Sequence, residues 1–213
     1  MGGSAELVKK LREMSGAPMM ECKRALDEAS GDLDQAFTIL RKRGQASAAK
    51  KADRLATEGL VGSYIHAGGK IGVMVEVNCE TDFVARSQEF RQLVHDLAMQ
   101  ICATSPRFIR KDDVTPDILE REKEILRSQT EAAGKPEAVL ARIIEGKLGK
   151  FFEDACLYEQ HFIKDVTGNL TVRELIASKI VKFGENITVR RFSRFKVGEG
   201  LTKSVSPDTS PAH

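Results

Sequence analysis

Residues 59–80 read GLVGSYIHAGGKIGVMVEVNCE, and the period of this stretch decides the fold. In residues 5–44 the apolar residues recur at helical spacing; inside the stretch they alternate. Strict alternation sets one group of side chains on one face of a strand. Gly68-Gly69 supplies the positive φ angles of a tight turn, so the stretch predicts a β-hairpin. In its second arm Ile71, Val73, Val75, Val77 and Cys79 share one face, which is a core face. Gly72, Met74, Glu76 and Asn78 share the other, a mixed face that is either solvated or covered by a partner.

The hairpin runs directly into NCETDFVARSQEF, residues 78–90. Thr81 and Asp82 are turn formers, yet the bulky apolar pair Phe83-Val84 follows at once. At least one of these two side chains is expected to face outward. Ser87 is an expected N-cap for a long helix whose inward stripe is Phe90, Leu93, Val94, Leu97, Ala98, Ile101 and Cys102. Residues 107–114 connect. Two charged helices follow within 116–152, on either side of Gly134-Lys135, and predict an antiparallel helical hairpin. Its stripes are Ile118, Leu119, Ile125 and Leu126, then Val139, Leu140, Ile143, Ile144, Leu148 and Phe151. Residues 157–166 show no period. Thr171 opens another helix, and NITVRRFSRFKV (186–197) reads as a third strand with Ile187, Val189, Phe195 and Val197 in one phase. The end, 201–213, is expected to be a disordered tail.

Upstream, residues 1–44 predict three short helices. Ser4 is an expected N-cap, Gly16 breaks the first helix, and Pro18 suits the first turn of the second. Gly31 ends the second, Asp32 with Gln35 resembles a capping box for the third, and Gly44 closes it. Residues 45–58, QASAAKKADRLATE, have no apolar stripe and predict a solvated helical linker. The expected fold class is therefore α+β. A three-helix bundle precedes a core over 59–200, in which a three-stranded antiparallel sheet is closed from both ends of the sequence.

Composition narrows function. The chain has 213 residues with 33 Lys and Arg against 31 Asp and Glu, a formal net charge of +2. So balanced a charge argues against a dedicated DNA binder. No apolar run approaches the roughly 20 residues that span a bilayer, and the start, MGGSAELVKK, has no signal-peptide core. A cytoplasmic protein with no membrane contact is the expectation. Cys22, Cys79, Cys102 and Cys156 form no C-x-x-C pair and sit on apolar phases, so they read as small core residues.

Motifs for chemistry are mostly missing. HAGGKIG lacks the spacing of a phosphate-binding loop, and no G-x-G-x-x-G or G-x-S-x-G occurs. His95 and Asp96 are neighbours on a helix and point apart. RRFSRFK interleaves basic and aromatic residues, as RNA-binding segments do, but its strand phase explains the apolar members more simply. No catalytic residue, metal ligand or cofactor site is expected. Met19-Met20, at the start of the second helix, is either core-edge filler or an adaptable contact surface.

Several stretches, in order from about residue 5 to 200, resemble the translation elongation factor Ts family. They are LREMSGAPMMECKRAL, GDLDQAFTILRKRG, AAKKADR, VEVNCETDFVAR, GKPEAVLARIIEGKLGKFFED and GENITVRRFSRFKVGEG. VNCET followed by TDFVA is the specific part; the first-domain pattern alone resembles any ubiquitin-associated-type bundle. The resemblance implies a guanine-nucleotide exchange factor for elongation factor Tu, without bond-making chemistry. It implies that Thr81, Asp82, Phe83 and Val84 enter beside the partner's nucleotide site and help dislodge Mg²⁺. Arg12, Met19 and Met20 match first-domain contact positions, and 116–152 resembles the family's coiled-coil arm. Asp82 is expected to cap the turn and orient Phe83. The chain resembles the compact form with a single core module, which implies a two-fold homodimer. Ser193 stands where some compact members have Cys, so such a dimer is non-covalent.

Overall fold

The computed structural model of the chain describes residues 2–131, 137–166 and 168–201. The expected Gly134-Lys135 connection, Pro136 and the tail beyond Leu201 lie outside the described residues. The fold is α+β, with a three-stranded antiparallel sheet in the order β1-β2-β3.

Helices α1 (Gly2–Ser15), α2 (Met19–Glu28) and α3 (Leu33–Lys51) pack around Leu11, Cys22, Ala25, Leu26 and Ala36. α1 begins two residues ahead of the expected cap Ser4. Pro18 is the N-cap of α2 rather than part of its first turn. Asp32 caps α3 by accepting from the Gln35 N–H at 2.8 Å. Gly44 does not end α3, which continues to Lys51. Gly44 is instead a contact point: a Cβ there would meet the Ala177 Cβ at 3.9 Å. At this point α3 packs against α8 (Val172–Phe183). Ala48 then packs on the main core. The first half of the expected solvated linker is therefore the end of α3, helical as expected, with Gln45, Ala46, Ala49 and Lys50 exposed and Ala48 on the core.

β1 (Glu58–Ile65) and β2 (Ile71–Cys79) form the expected hairpin, and Gly68 and Gly69 take φ of +88° and +69°. β3 (Ile187–Lys196) pairs with the far side of β2. Between Val189 and Arg191 the register slips, so that Arg190 and Arg191 together face Glu76. A bulge of this kind reverses the side-chain phase beyond it. Ile187 and Val189 are buried as expected, but it is Phe192 that packs toward the core, while Phe195 and Val197 are exposed. The single phase expected for the strand is thus corrected by one residue.

α5 (Gln88–Thr104) crosses the inner face of the sheet, with every residue of its expected stripe buried. Ser87 caps it, accepting from the Phe90 N–H at 3.2 Å. Thr171 and Glu174 form a reciprocal capping box for α8. The segment without period is also core: Leu157 is fully buried, and the Tyr158 hydroxyl accepts from the Val189 N–H at 3.1 Å. α6 (Pro116–Glu131) and α7 (Glu137–Ala155) pack on each other through a thin seam that buries Leu126 and Leu140. Ile125 and Val139 stay exposed. No helix among the described residues is long and apolar enough to cross a membrane.

Candidate functional site

The ladder between β2 and β3 ends at Cys79 opposite Ile187. The next two backbone amides, of Glu80 and Thr81, have left the sheet and both donate to Oε2 of Glu185 at 3.1 Å. The Thr81 hydroxyl donates to Oε1 of the same carboxylate at 2.6 Å. The Thr81 oxygen also accepts from the Val84 N–H at 3.4 Å, which makes Thr81 the N-cap of the four-residue helix α4 (Asp82–Ala85). Asp82 is not the cap. It stands in the first turn and pairs with Arg86 at 2.9 Å on the surface.

α4 turns Phe83 and Val84 in opposite directions. Val84 and Ala85 are each 4% exposed and belong to the main core, whereas Phe83 is 84% exposed. Successive helical residues lie about 100° apart, so one faces the sheet and the other water. Val84, expected among the contacting residues, is buried and acts as the foot of the turn. Phe83 stands alone as its exposed apolar tip.

The first-domain positions lie at the corner between α1 and α2. Arg12 is exposed in the last turn of α1. Met19 and Met20 begin α2 and are 55% and 59% exposed, so both belong to the surface. Met20 also lines a groove of about 420 Å³ between this corner and α8, together with Glu21, Arg41, Arg43 and Glu174. The two sets of residues are on separate elements. What joins them is α3, which packs on α8, and Glu185 follows α8 just beyond its C-cap Gly184.

Other candidates resolve as structural. His95 Nδ1 lies 3.8 Å from Asp96 Oδ1, beyond hydrogen-bond range, and Asp96 instead accepts from Lys164 at 2.6 Å. Arg190 and Arg191 both grip Glu76, at 2.9 and 2.6 Å, and hold its carboxyl below the usual range. All four cysteines are buried and free. Burial pushes the Cys79 thiol up to about 11, with the Glu185 carboxylate adding to the shift. Among the described residues, no group of three or more His, Cys, Asp and Glu is placed to hold a metal ion.

Glu185 and its neighbour Asn186 are the site residues that local reading missed. A glycine after a helical run marks a turn at 184–186, but nothing in that tripeptide identifies a partner 104 residues away.

The outward face of the sheet is the other surface feature. Val61, Ile65, Met74, Phe195 and Val197 are all more than half exposed. Ser193, opposite Met74 in the register, is on this face.

Comparison with known proteins shows the family of the chain. The family model described as Elongation factor TS matches residues 34–199. The Elongation factor Ts of Koribacter versatilis (strain Ellin345) is 59% identical over 207 residues, covering 97% of this chain and 94% of that protein. The Elongation factor Ts of Solibacter usitatus (strain Ellin6076) is 56% identical over 209 residues, covering 98% of each. That of Carboxydothermus hydrogenoformans is 54% identical over 200 residues, covering 94% of this chain and 91% of its own length. With near-complete coverage of both partners, and a match that contains the Thr81–Val84 turn and all three strands, this chain belongs to the elongation factor Ts family.

Proposed function

We propose that this protein is a guanine-nucleotide exchange factor that binds elongation factor Tu during translation elongation and speeds release of GDP. It performs no bond chemistry of its own. The observation that carries this reading is Phe83: an aromatic ring 84% exposed, on a turn whose adjacent residues Val84 and Ala85 are anchored in the core. An exposed ring on an anchored base is a wedge. Mg²⁺ ties nucleotide phosphates to protein oxygens in GTPases, so shifting one coordinating segment weakens the hold on nucleotide.

Burying Phe83 in a partner supplies roughly 1.5–3 kcal/mol, which corresponds to about 10- to 150-fold of coupling. Coupling is reciprocal, so nucleotide that is loosened by the factor loosens the factor in turn. Release after GTP loading follows from that symmetry. Arg12, Met19 and Met20 form the second contact, on the ubiquitin-associated-type bundle, where flexible thioethers adapt to a partner surface. Helices α6 and α7 act as a coiled-coil arm.

The outward sheet face fits a second copy of this chain. Among the described residues no helix covers its apolar side chains, and a two-fold pairing of two such faces closes both at once. With Ser193 on the face, the pairing is non-covalent.

The test is stopped-flow release of fluorescent GDP from elongation factor Tu, with wild type and Phe83→Ala. Strong acceleration by the wild type, blunted in the variant, is expected. Equal acceleration by both removes the wedge and keeps the exchange role. Binding without acceleration replaces exchange by an adaptor role.

A further inference from the structure

We infer that Glu185, held by its turn with Asn186, is a positioning residue that sets the aim of Phe83. This rests on the exchange reading above and adds to it a residue outside the Thr81–Val84 turn.

A four-residue helix has almost no stability of its own, because nucleation fixes several dihedrals for a single hydrogen bond. The conformation of α4 must come from what grips its ends. Below, Val84 and Ala85 are buried. Ahead of it, the chain leaves the sheet after Cys79, and three donors need acceptors: the Glu80 N–H, the Thr81 N–H and the Thr81 hydroxyl. Glu185 takes all three, at 3.1, 3.1 and 2.6 Å. A carboxylate has about four lone-pair sites and no donor, so it suits three converging donors. Its side chain continues the ladder by one step where the backbone of β3 has stopped.

The grip is reciprocal. Glu80 Oε1 accepts from the Asn186 N–H at 2.6 Å, while Glu185 accepts from Glu80. Each strand end is thus closed by the side chain of the other. Gly184 makes this geometry available: with φ of +74° it ends α8 and turns the chain directly into β3.

The same turn reaches the segment that follows α3. Asn186, 6% exposed, donates from Nδ2 to the Arg54 carbonyl at 2.8 Å and to the Ala52 carbonyl at 3.3 Å. Residues 184–186 therefore hold both the base of Phe83 and the chain that leads out of the N-terminal helices. The Thr81 hydroxyl sits at the junction, donating to Glu185 and accepting from Val84. Loss of the carboxylate frees that hydroxyl to rotate and leaves two amides to water.

The experiment uses full-length wild type, Glu185→Ala and Glu185→Gln. Gln keeps an oxygen for the two amides, so it is the conservative rescue. Two readouts are taken: the saturating rate of GDP release against the half-saturating concentration, and amide hydrogen exchange at residues 80–85 in the free protein. Glu185→Ala is expected to lower the saturating rate about tenfold, the lower end of the coupling that burial of Phe83 supplies. Half-saturation is expected to change little, and exchange at 80–85 to rise while α5 keeps its protection. Glu185→Gln is expected to stay close to wild type in both.

A Glu185→Ala protein with unchanged exchange at 80–85 overturns the positioning role. So does one that alters half-saturation alone, or an Ala and a Gln variant equally impaired. If wild type itself fails to accelerate release, the exchange reading falls, and the hydrogen-exchange comparison still decides whether Glu185 holds the turn.

Discussion

The Arg41 guanidinium on α3 donates from Nε to Oε1 of Glu174 on α8 at 2.8 Å, across 133 residues of sequence. Glu174 is only 7% exposed, and it also accepts from the Thr171 N–H at 3.0 Å within its own capping box. One carboxylate therefore starts α8 and binds the N-terminal helices to the core. Arg41→Met is expected to cost about 2 kcal/mol, since it strips a charged partner from a buried acceptor. The partly open guanidinium keeps the loss below that of a fully buried pair. Urea unfolding measures it, and Arg41→Met with Glu174→Gln is expected to recover part of the loss.

Neighbouring residues on α4 are expected to respond oppositely. Val84→Ala empties a core position and is expected to cost about 2 kcal/mol of stability. Phe83→Ala is expected to leave stability within about 0.5 kcal/mol of wild type, because the ring touches mostly water. Thermal unfolding of both variants, set beside their GDP-release rates, separates foot from tip.

Alkaline pH should weaken the fold through its thiols. Cys79 and Cys156 are raised from 9.0 to about 11 by burial. In the unfolded chain both ionise near their ordinary value. The stability they contribute is therefore complete below pH 9 and is lost as pH rises toward 11. The expected slope is on the order of 1 kcal/mol per thiol per pH unit. Unfolding at successive pH values, compared with a Cys79→Ala, Cys156→Ala double variant, isolates it: the double variant should show the flatter profile.

The outward sheet face gives a prediction about mass. Wild type is expected to sediment as a dimer at micromolar concentration, and Phe195→Glu as a folded monomer whose unfolding no longer depends on protein concentration. Phe195 is 69% exposed, so its replacement disturbs the face without opening the core. A monomeric wild type removes the dimer.

Where the physics is local, sequence and structure coincide. The α5 stripe from Phe90 to Cys102 is buried throughout, because a helical period places those residues on one face whatever it packs against. Ser87, Asp32 and Thr171 cap their helices through bonds to residues three positions on. The Gly68-Gly69 turn and the inward face of β2 follow from the two-residue period alone. The exposed Phe83 was half legible: two adjacent apolar residues after a turn former cannot both face one core.

Tertiary structure decided what depends on partners far along the chain. Gly44 has the local marks of a helix stop, yet α3 passes through it and lies beside Ala177 on α8 at that point. Strand periodicity cannot announce the bulge at Arg190, since the extra residue exists only relative to Glu76 on the neighbouring strand. Gln100 sits fully buried on α5, satisfied by the His161 carbonyl and the Ile163 N–H, neither of which the helix encodes. Glu185 likewise has no meaning until β3 returns beside β2. Most elements, and the inward faces of α5 and β2, were legible because period, caps and turns act within a few residues. Only the tertiary structure chose between Phe83 and Val84 and supplied the carboxylate that holds their turn, because hydrogen bonds and burial join residues that the chain separates.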